Sequence, residues 1–101
     1  TDYYSTEMIL RLVKMEFTKE KTVIFLTYFE SIKSRICEMP GLVNLKLYQD
    51  VNDPNVVFTH STWLNEDYLE NYKKSKLFDE IWPKTKLLFA SDAVAWSLTL
   101  K

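Results

Sequence analysis

The sequence predicts an α+β fold built on one antiparallel sheet, and three observations lead to it. Apolar residues alternate with a period of two in four segments, which is typical of strands. Between the first two of these segments, and again between the last two, apolar residues recur with the period of a helix. Fifteen aromatic residues and a single glycine favour regular elements with bulky side chains. The predicted order is therefore strand, helix, strand, strand, helix, strand.

The first strand is predicted over residues 8–17, which carry apolar side chains on both faces over most of their length. Thr18 is expected to cap the helix that follows, with Glu20 near the positive end of the helix dipole. The helix should run to about Met39, because its apolar residues recur in steps of four and three, and Pro40-Gly41 should end it. The apolar stripe consists of Phe25, Phe29, Ile32, Ile36 and Met39. Cys37, beside Ile36, is predicted to be a small core residue.

The second and third strands, residues 42–51 and 56–64, are predicted to form a hairpin. Asp53-Pro54-Asn55 supplies the turn between them, because proline presets the dihedral angle of the second turn position. In the first of these strands the alternation places Val43 on the same face as Leu45 and Leu47, with Leu42 on the opposite face.

The second helical region is predicted to contain two caps and one interruption. Asn65 and Ser75 are each followed by helical sequence and are expected to cap it. Pro83 should break or kink the helix, because proline removes a backbone donor. Residues 84–89 add another helical turn or two, and residues 93–100 form the last strand.

This order of elements is the ferredoxin-like, or split βαβ, arrangement. Right-handed crossovers place both helical regions on one face of a four-stranded antiparallel sheet. One layer of helices covers only one face, yet the first two strands carry apolar residues on both. A second copy of the same sheet would cover the other face, so we expect a homodimer that associates through its sheet face.

Composition restricts the other partners and the compartment. The formal net charge of −1 provides no general attraction for a phosphate backbone or an anionic membrane, so neither nucleic acid nor a membrane is an expected partner. The basic stretch that begins at Lys73 is interleaved with acidic residues and is interpreted as a solvated helix face. One cysteine excludes an intrachain disulfide, and we expect a cytoplasmic protein.

Three consecutive features resemble the antibiotic-biosynthesis monooxygenase-like family of the dimeric α/β-barrel superfamily. A strand over residues 57–63 ends in Trp, a short helix carries Leu69 and Tyr72, and Ser75-Lys-Leu-Phe78 provides a Ser-x-x-Phe step before the next helix. The resemblance covers residues 8–101 as a single domain. Residues 1–7 lie outside it and are predicted to form an N-terminal arm.

The resemblance implies a dimeric α/β barrel with one pocket per subunit between the sheet and its helices. Several family members oxidise phenols, quinols or polyketide aromatics with molecular oxygen and without a metal or flavin. Triplet oxygen reacts slowly with closed-shell molecules, so the substrate must supply the electron, which deprotonation of its hydroxyl makes easier. A dry apolar pocket that binds the ring and stabilises its anion is then sufficient.

The expected function is therefore a cofactor-independent monooxygenase acting on a small aromatic, phenol or quinol-like substrate. The alternative is a non-catalytic ligand-binding or stress-related dimer whose pocket is filled by side chains.

The resemblance also identifies candidate site residues. The pocket walls are expected to be Trp63, Tyr72, Phe78 and Trp82. Tyr72 stands where many members have His, and a phenol with a pKa of about 10 is a poor base at neutral pH. Leu77 likewise replaces a second His, and Trp82 replaces the axial His of a haem-degrading branch.

Two polar residues are the catalytic candidates. Arg11 could hold a phenolate or carboxylate in the pocket, or pair with an acidic neighbour. His60, the only histidine, could be a catalytic base or a hydrogen-bonded residue at the dimer face. Its side chain alternates to the opposite face from Trp63, while Thr59 stands where some oxygen-activating members have Asn.

Overall fold

A computed structural model describes residues 7–101. The elements in chain order are β1 (Ile9–Phe17), α1 (Lys19–Cys37), β2 (Leu42–Gln49), β3 (Val56–Trp63), α2 (Glu66–Lys73), α3 (Lys76–Lys86) and β4 (Phe89–Leu98). The four strands form one antiparallel sheet in the order β2-β3-β1-β4, which confirms the predicted ferredoxin-like α+β fold. Of the predicted N-terminal arm, only Glu7 lies within the described residues, and it is exposed.

The main core lies between α1 and the central strands. The apolar stripe of α1 is buried from Phe25 to Ile36, as its spacing predicts. Phe25 stacks on Phe17 of β1 with ring centroids 4.8 Å apart, and Met15 and Val57 complete this cluster. Each such side chain removed from water stabilises the fold by about 1.5–3 kcal/mol, which fixes α1 across the sheet.

Side-chain caps and one glycine position the shorter helices. The Asn65 side chain accepts a hydrogen bond from the backbone N–H of Tyr68 at 3.2 Å, and Ser75 Oγ accepts one from that of Phe78 at 3.1 Å, as predicted. Gly41 has a φ of +82°, and a Cβ added there would lie 2.1 Å from the ring of Tyr68. Glycine is therefore required where the chain leaves α1 and passes beneath α2.

The structure corrects the expectations for the last helix and the last strand. Pro83 does not break the helix: α3 continues through it to Lys86. Pro83 and Asp79, whose carbonyl loses its helical partner, are both exposed, so solvent can satisfy that carbonyl. The final strand begins at Phe89 instead of residue 93, because register shifts opposite Glu16 accommodate the residues expected to interrupt it.

Two smaller expectations are also wrong. Leu42 packs with the helix-facing clusters while Val43 is 47% exposed, because the register of β2 shifts between Leu42 and Asn44. Cys37 is exposed, because it follows Ile36 by one helical position and so turns away from the buried stripe.

The sheet face opposite the helices is apolar and uncovered, as the distribution of apolar residues predicts. Trp96 and Leu98 of β4 are 41% and 42% exposed there, and Tyr48 of β2 is 49% exposed. Leu12 of β1 lies between them on this face, paired in register with Trp96 on one side and His60 on the other. We call this surface the open sheet face. Over the part of the chain that is described, no helix has the length and apolar character needed to cross a membrane.

Candidate functional site

A cavity of about 360 Å³ lies between the sheet and its helices. This volume falls within the range of about 300–1,000 Å³ that is usual for small-molecule sites. The floor comes from the helix-facing side chains of all four strands, and α1, α2 and α3 provide the roof. Small residues on β4, Ala93 and Ala95, leave space above the sheet. The pocket expected from the resemblance is therefore present, and side chains do not fill it.

One wall of the cavity is a continuous aromatic series that contains all four predicted wall residues. The rings of Trp63 and Tyr72 stack with centroids 5.1 Å apart. The ring of Phe78 meets Tyr72 edge-on at 5.2 Å and stacks on Trp82 at 5.7 Å. These contacts place flat, polarisable surfaces along one side of the space, which suits an aromatic ligand.

Trp63 anchors this wall. Its side chain is 1% exposed, and its indole N–H donates a hydrogen bond of 3.0 Å to Ser61 Oγ. Both residues face the helices from β3, two positions apart, as the strand period requires. Ser61 also lines the cavity floor, and its Oγ already accepts this hydrogen bond from Trp63.

Arg11 is the cationic residue of the cavity floor. It lies on β1 between Ser61 of β3 and Ser97 of β4, which are its register partners. Its Nη1 donates a hydrogen bond of 2.9 Å to Ser97 Oγ. Over residues 7–101 no carboxylate lies close enough to form an ion pair with it, although its charge is one of those that lower the pKa of Glu70.

Lys73 is a second cation that lines the cavity, so the interpretation of the basic stretch as a solvated helix face is wrong for this residue. Its Nζ lies 2.8 Å from Glu70 Oε2. The pKa of Glu70 is lowered, mainly because it accepts this hydrogen bond, with smaller contributions from the charges of Lys73, Lys74 and Arg11. Glu70 itself does not line the cavity, so among residues 7–101 the two charged residues that do are both cations. The feature of the sequence that could have indicated this role is its position directly after the wall residue Tyr72.

Tyr72 can donate a proton in a hydrogen bond but is a poor base. Burial raises the pKa of its hydroxyl to about 12, so the phenol stays protonated at neutral pH. Its ring lines the cavity, and its hydroxyl has no hydrogen-bond partner among residues 7–101. It is thus available as a donor to a bound oxygen atom.

His60 lies on the open sheet face, on the other side of the backbone from Arg11 and the aromatic wall. Its ring meets that of Tyr48 edge-on at 6.1 Å. Its Nδ1 is buried and has no hydrogen-bond partner within the described residues. The structure therefore does not bring His60 together with the other predicted site residues.

The remaining positions singled out in the sequence divide between cavity and core. Thr59 lines the cavity, whereas Leu77 packs against the cluster of Ile32, Ile36 and Ile81. Between residues 7 and 101, His, Cys, Asp and Glu side chains nowhere come together in the groups of three or more that could hold a metal ion.

Comparisons with known proteins agree with this architecture. The sequence model of the family "Antibiotic biosynthesis monooxygenase" matches residues 8–82. No curated protein matches the sequence.

Solved structures with the same fold are numerous. A conserved protein from Methanosarcina mazei superposes with a TM-score of 0.89 at 20% identity, covering 95% of each chain. A structure described as an antibiotic biosynthesis monooxygenase gives a TM-score of 0.84 at 14% identity, covering 92% of this chain and 98% of that one. A Pseudomonas aeruginosa protein gives 0.82 at 11% identity, with 97% and 98% covered. At these identities the likeness establishes the fold.

Proposed function

Because the chain belongs to the antibiotic biosynthesis monooxygenase family, we propose that it is a cofactor-independent monooxygenase that oxidises a small phenol or quinol-like aromatic with molecular oxygen. The observation that carries the proposal is the cavity itself, in which an aromatic wall faces a floor containing an unpaired arginine. An aromatic ring fits the wall, and the anion of such a ring fits the positive charge.

In the proposed reaction the ring of the substrate lies along Trp63 and Tyr72. The positive charges of Arg11 and Lys73 lower the pKa of the substrate hydroxyl, and its proton leaves to solvent through the open side of the cavity. The Tyr72 hydroxyl, protonated at neutral pH, donates a hydrogen bond to the resulting oxyanion. These side chains make the ring rich in electrons without supplying a redox group.

The electron-rich anion then reduces oxygen directly. Transfer of one electron to O₂ and recombination of the two radicals forms a carbon–oxygen bond, and cleavage of the O–O bond releases water. Overall, a phenol and O₂ become a quinone and H₂O: the ring C–H and the hydroxyl each lose one hydrogen, the carbon keeps one oxygen atom, and the other oxygen takes up two protons and leaves as water, with all electrons coming from the substrate. No step needs a base in the cavity stronger than water, which matches the lining residues of this chain.

We also propose that the open sheet face binds a second copy of the chain. Its exposed apolar residues and the unpartnered Nδ1 of His60 both favour burial against another protein surface. In that arrangement His60 belongs to the interface and Arg11 to the reaction, so the predicted catalytic pair is divided between two faces.

A non-catalytic ligand-binding dimer is the second candidate, and one observation favours it. The ionisable side chains that line the cavity are two cations and a tyrosine of raised pKa, so no carboxylate or imidazole of the described residues is available as a proton acceptor. Such a cavity binds an aromatic anion whether or not oxygen reacts with it.

Oxygen consumption with a panel of quinols, measured on a metal-free preparation, separates the two candidates. The monooxygenase predicts turnover above the uncatalysed rate, and loss of the positive charge that binds and orients the substrate anion in Arg11→Gln should lower kcat/KM about 100-fold. Lys33→Gln removes the same charge from an exposed position on α1 and serves as the matched control. Turnover no faster than the uncatalysed rate for every quinol would leave only ligand binding.

His60→Ala tests the sequence-based prediction of a catalytic base. Its side chain lies outside the cavity, so we expect turnover within about twofold of wild type once self-association is shown to be intact. A large loss of kcat in a variant that still self-associates would return His60 to the reaction.

A further inference from the structure

Arg11 has N–H donors that make no hydrogen bond within residues 7–101. Its guanidinium carries several N–H donors in a planar fork, and only Nη1 has a partner, Ser97 Oγ. A partly buried cation in a cavity is normally paired, because removing charge from water without compensation is costly. Among residues 7–101 no carboxylate forms an ion pair with Arg11, so its charge is available to a ligand in the cavity.

The charges around the cavity favour a ligand that carries a single negative charge. Arg11 and Lys73 line it, and Glu70, bound to Lys73 at 2.8 Å, neutralises one of the two. One net positive charge remains at this end, although the whole chain has a net charge of −1. A monoanion balances that charge, which fits a ligand that binds with its carboxylate ionised and its ring hydroxyl still protonated, whereas a phosphate dianion already exceeds it on binding.

The geometry favours a two-oxygen anion at Arg11. A guanidinium fork matches the two parallel oxygens of a carboxylate, whereas a phenolate offers one oxygen. Ser97 of β4, which is exposed, accepts a hydrogen bond from Nη1 and leaves the other N–H groups of the fork for a ligand. A separate donor, the Tyr72 hydroxyl, lies on the aromatic wall together with the neighbouring cation Lys73, so a ring hydroxyl has its own partners.

We propose that the ligand of this cavity is an aromatic carboxylic acid whose carboxylate binds Arg11 while its ring lies along Trp63 and Tyr72. The inference rests on the proposed function for the reacting hydroxyl, and it adds the substrate class: a hydroxylated aromatic ring that bears a carboxylate. The carboxylate is a fixed handle that orients the ring and takes no part in the transfer of electrons to oxygen.

Isothermal titration calorimetry with three naphthalene probes tests the proposal without any turnover. The probes are 2-naphthoate, its neutral isostere 2-naphthamide and the dianion 2-naphthyl phosphate, each titrated into the full chain at neutral pH. A charge-assisted, two-point contact predicts that naphthoate binds at least about tenfold more tightly than the amide. Naphthyl phosphate should bind more weakly than naphthoate, because the local charge balances only one negative charge.

Variants then assign the preference to Arg11. Arg11→Gln should reduce naphthoate affinity about tenfold or more and leave naphthamide within about twofold, so the preference disappears. Arg11→Lys should retain part of it, since the charge remains but the fork is lost. Lys33→Gln, the matched control, should behave as wild type. Circular dichroism checks that each variant is folded. If a variant is unfolded, the comparison of the three probes on the wild-type protein still tests the proposal.

Several results would overturn the proposal. It fails if naphthoate and naphthamide bind equally well, or if naphthyl phosphate binds more tightly than naphthoate. It also fails if the preference for naphthoate survives in Arg11→Gln, or if none of the probes binds. The outcome is independent of catalysis. Naphthoate selectivity with no oxygen uptake by quinols that bear a ring carboxylate supports the carboxylate assignment and removes the monooxygenase. Oxygen uptake without naphthoate selectivity supports the monooxygenase and removes the carboxylate assignment.

Discussion

Replacing Trp63 with alanine should destabilise the fold more than other substitutions in the cavity wall. The indole is 1% exposed and packs in a cluster with Ile9 and Leu69, so its removal leaves a hole that the surrounding strands and α2 cannot fill. Substitutions of this type cost about 3–5 kcal/mol. Ser61 Oγ also loses the donor that it accepts from in a buried site, which adds about 1 kcal/mol. The expected loss lies at the top of that range, a large part of the ~5–15 kcal/mol that stabilises a typical domain.

Urea denaturation followed by circular dichroism measures this loss at fixed protein concentration. Trp63→Phe separates the two contributions, because it keeps an aromatic ring and removes the indole N–H. A double-mutant cycle of Trp63→Phe with Ser61→Ala should give a coupling energy of about 1 kcal/mol, the value of the hydrogen bond. A loss below about 1 kcal/mol for Trp63→Ala would refute the assignment of Trp63 as the buried anchor of the wall.

The other predictions concern the open sheet face, one backbone position and one titration. Light scattering should report roughly 24 kDa, twice the chain mass of 12.0 kDa, and Trp96→Asp on the open face should return the monomer; a wild-type monomer at micromolar concentration would contradict the dimer. Gly41→Ala should destabilise by at least about 1–2 kcal/mol, from the φ of +82° alone, with partial recovery in Gly41→Ala/Tyr68→Ala by urea denaturation. The free energy of unfolding should fall between about pH 10 and pH 12, because the unfolded chain releases the Tyr72 proton at the ordinary pKa while the folded chain holds it to about 12. Below that window this group contributes no pH dependence, and Tyr72→Phe should remove its share of the fall, about 2–3 kcal/mol; an identical fall in Tyr72→Phe would contradict the burial of the hydroxyl.

The order of elements and the buried stripe of α1 were predictable because they depend on short-range chemistry. Periodicity identified Phe25 through Ile36, and the capping residues Asn65 and Ser75 have backbone partners within three residues. Pro83 was misjudged because the effect of proline depends on whether the freed carbonyl reaches water. That property belongs to the folded surface and not to the local sequence.

The candidate site was predictable to the extent that strand alternation determines it. Alternation separates Arg11 from Leu12 and Trp63 from His60, and the structure keeps both separations. Lys73 could not be identified in the same way. It lies on α2, a helix of eight residues, and which side chains of so short a helix reach the cavity depends on how the helix is tilted over the sheet. That tilt is set by packing against Trp63 and Gly41, both distant in sequence.

The sheet separates two chemistries across a single layer of backbone, and β1 is where they meet. Arg11 faces the cavity with register partners Ser61 and Ser97, whereas the next residue, Leu12, faces outward between His60 and Trp96. On the cavity side the Arg11 guanidinium donates a hydrogen bond to the hydroxyl of Ser97, and the proposed ligand would supply the balancing charge. On the outward side β1 carries its charge at Lys14, while the next outward position, Leu12, is apolar; a charge at that position would lose its solvation if a second sheet covered this face. A shift of one residue in the register of β1 would exchange these environments. Arg11 is therefore tied to the same alternation that brings Leu12 to the open sheet face, so the proposed ligand binding and the proposed self-association depend on one register.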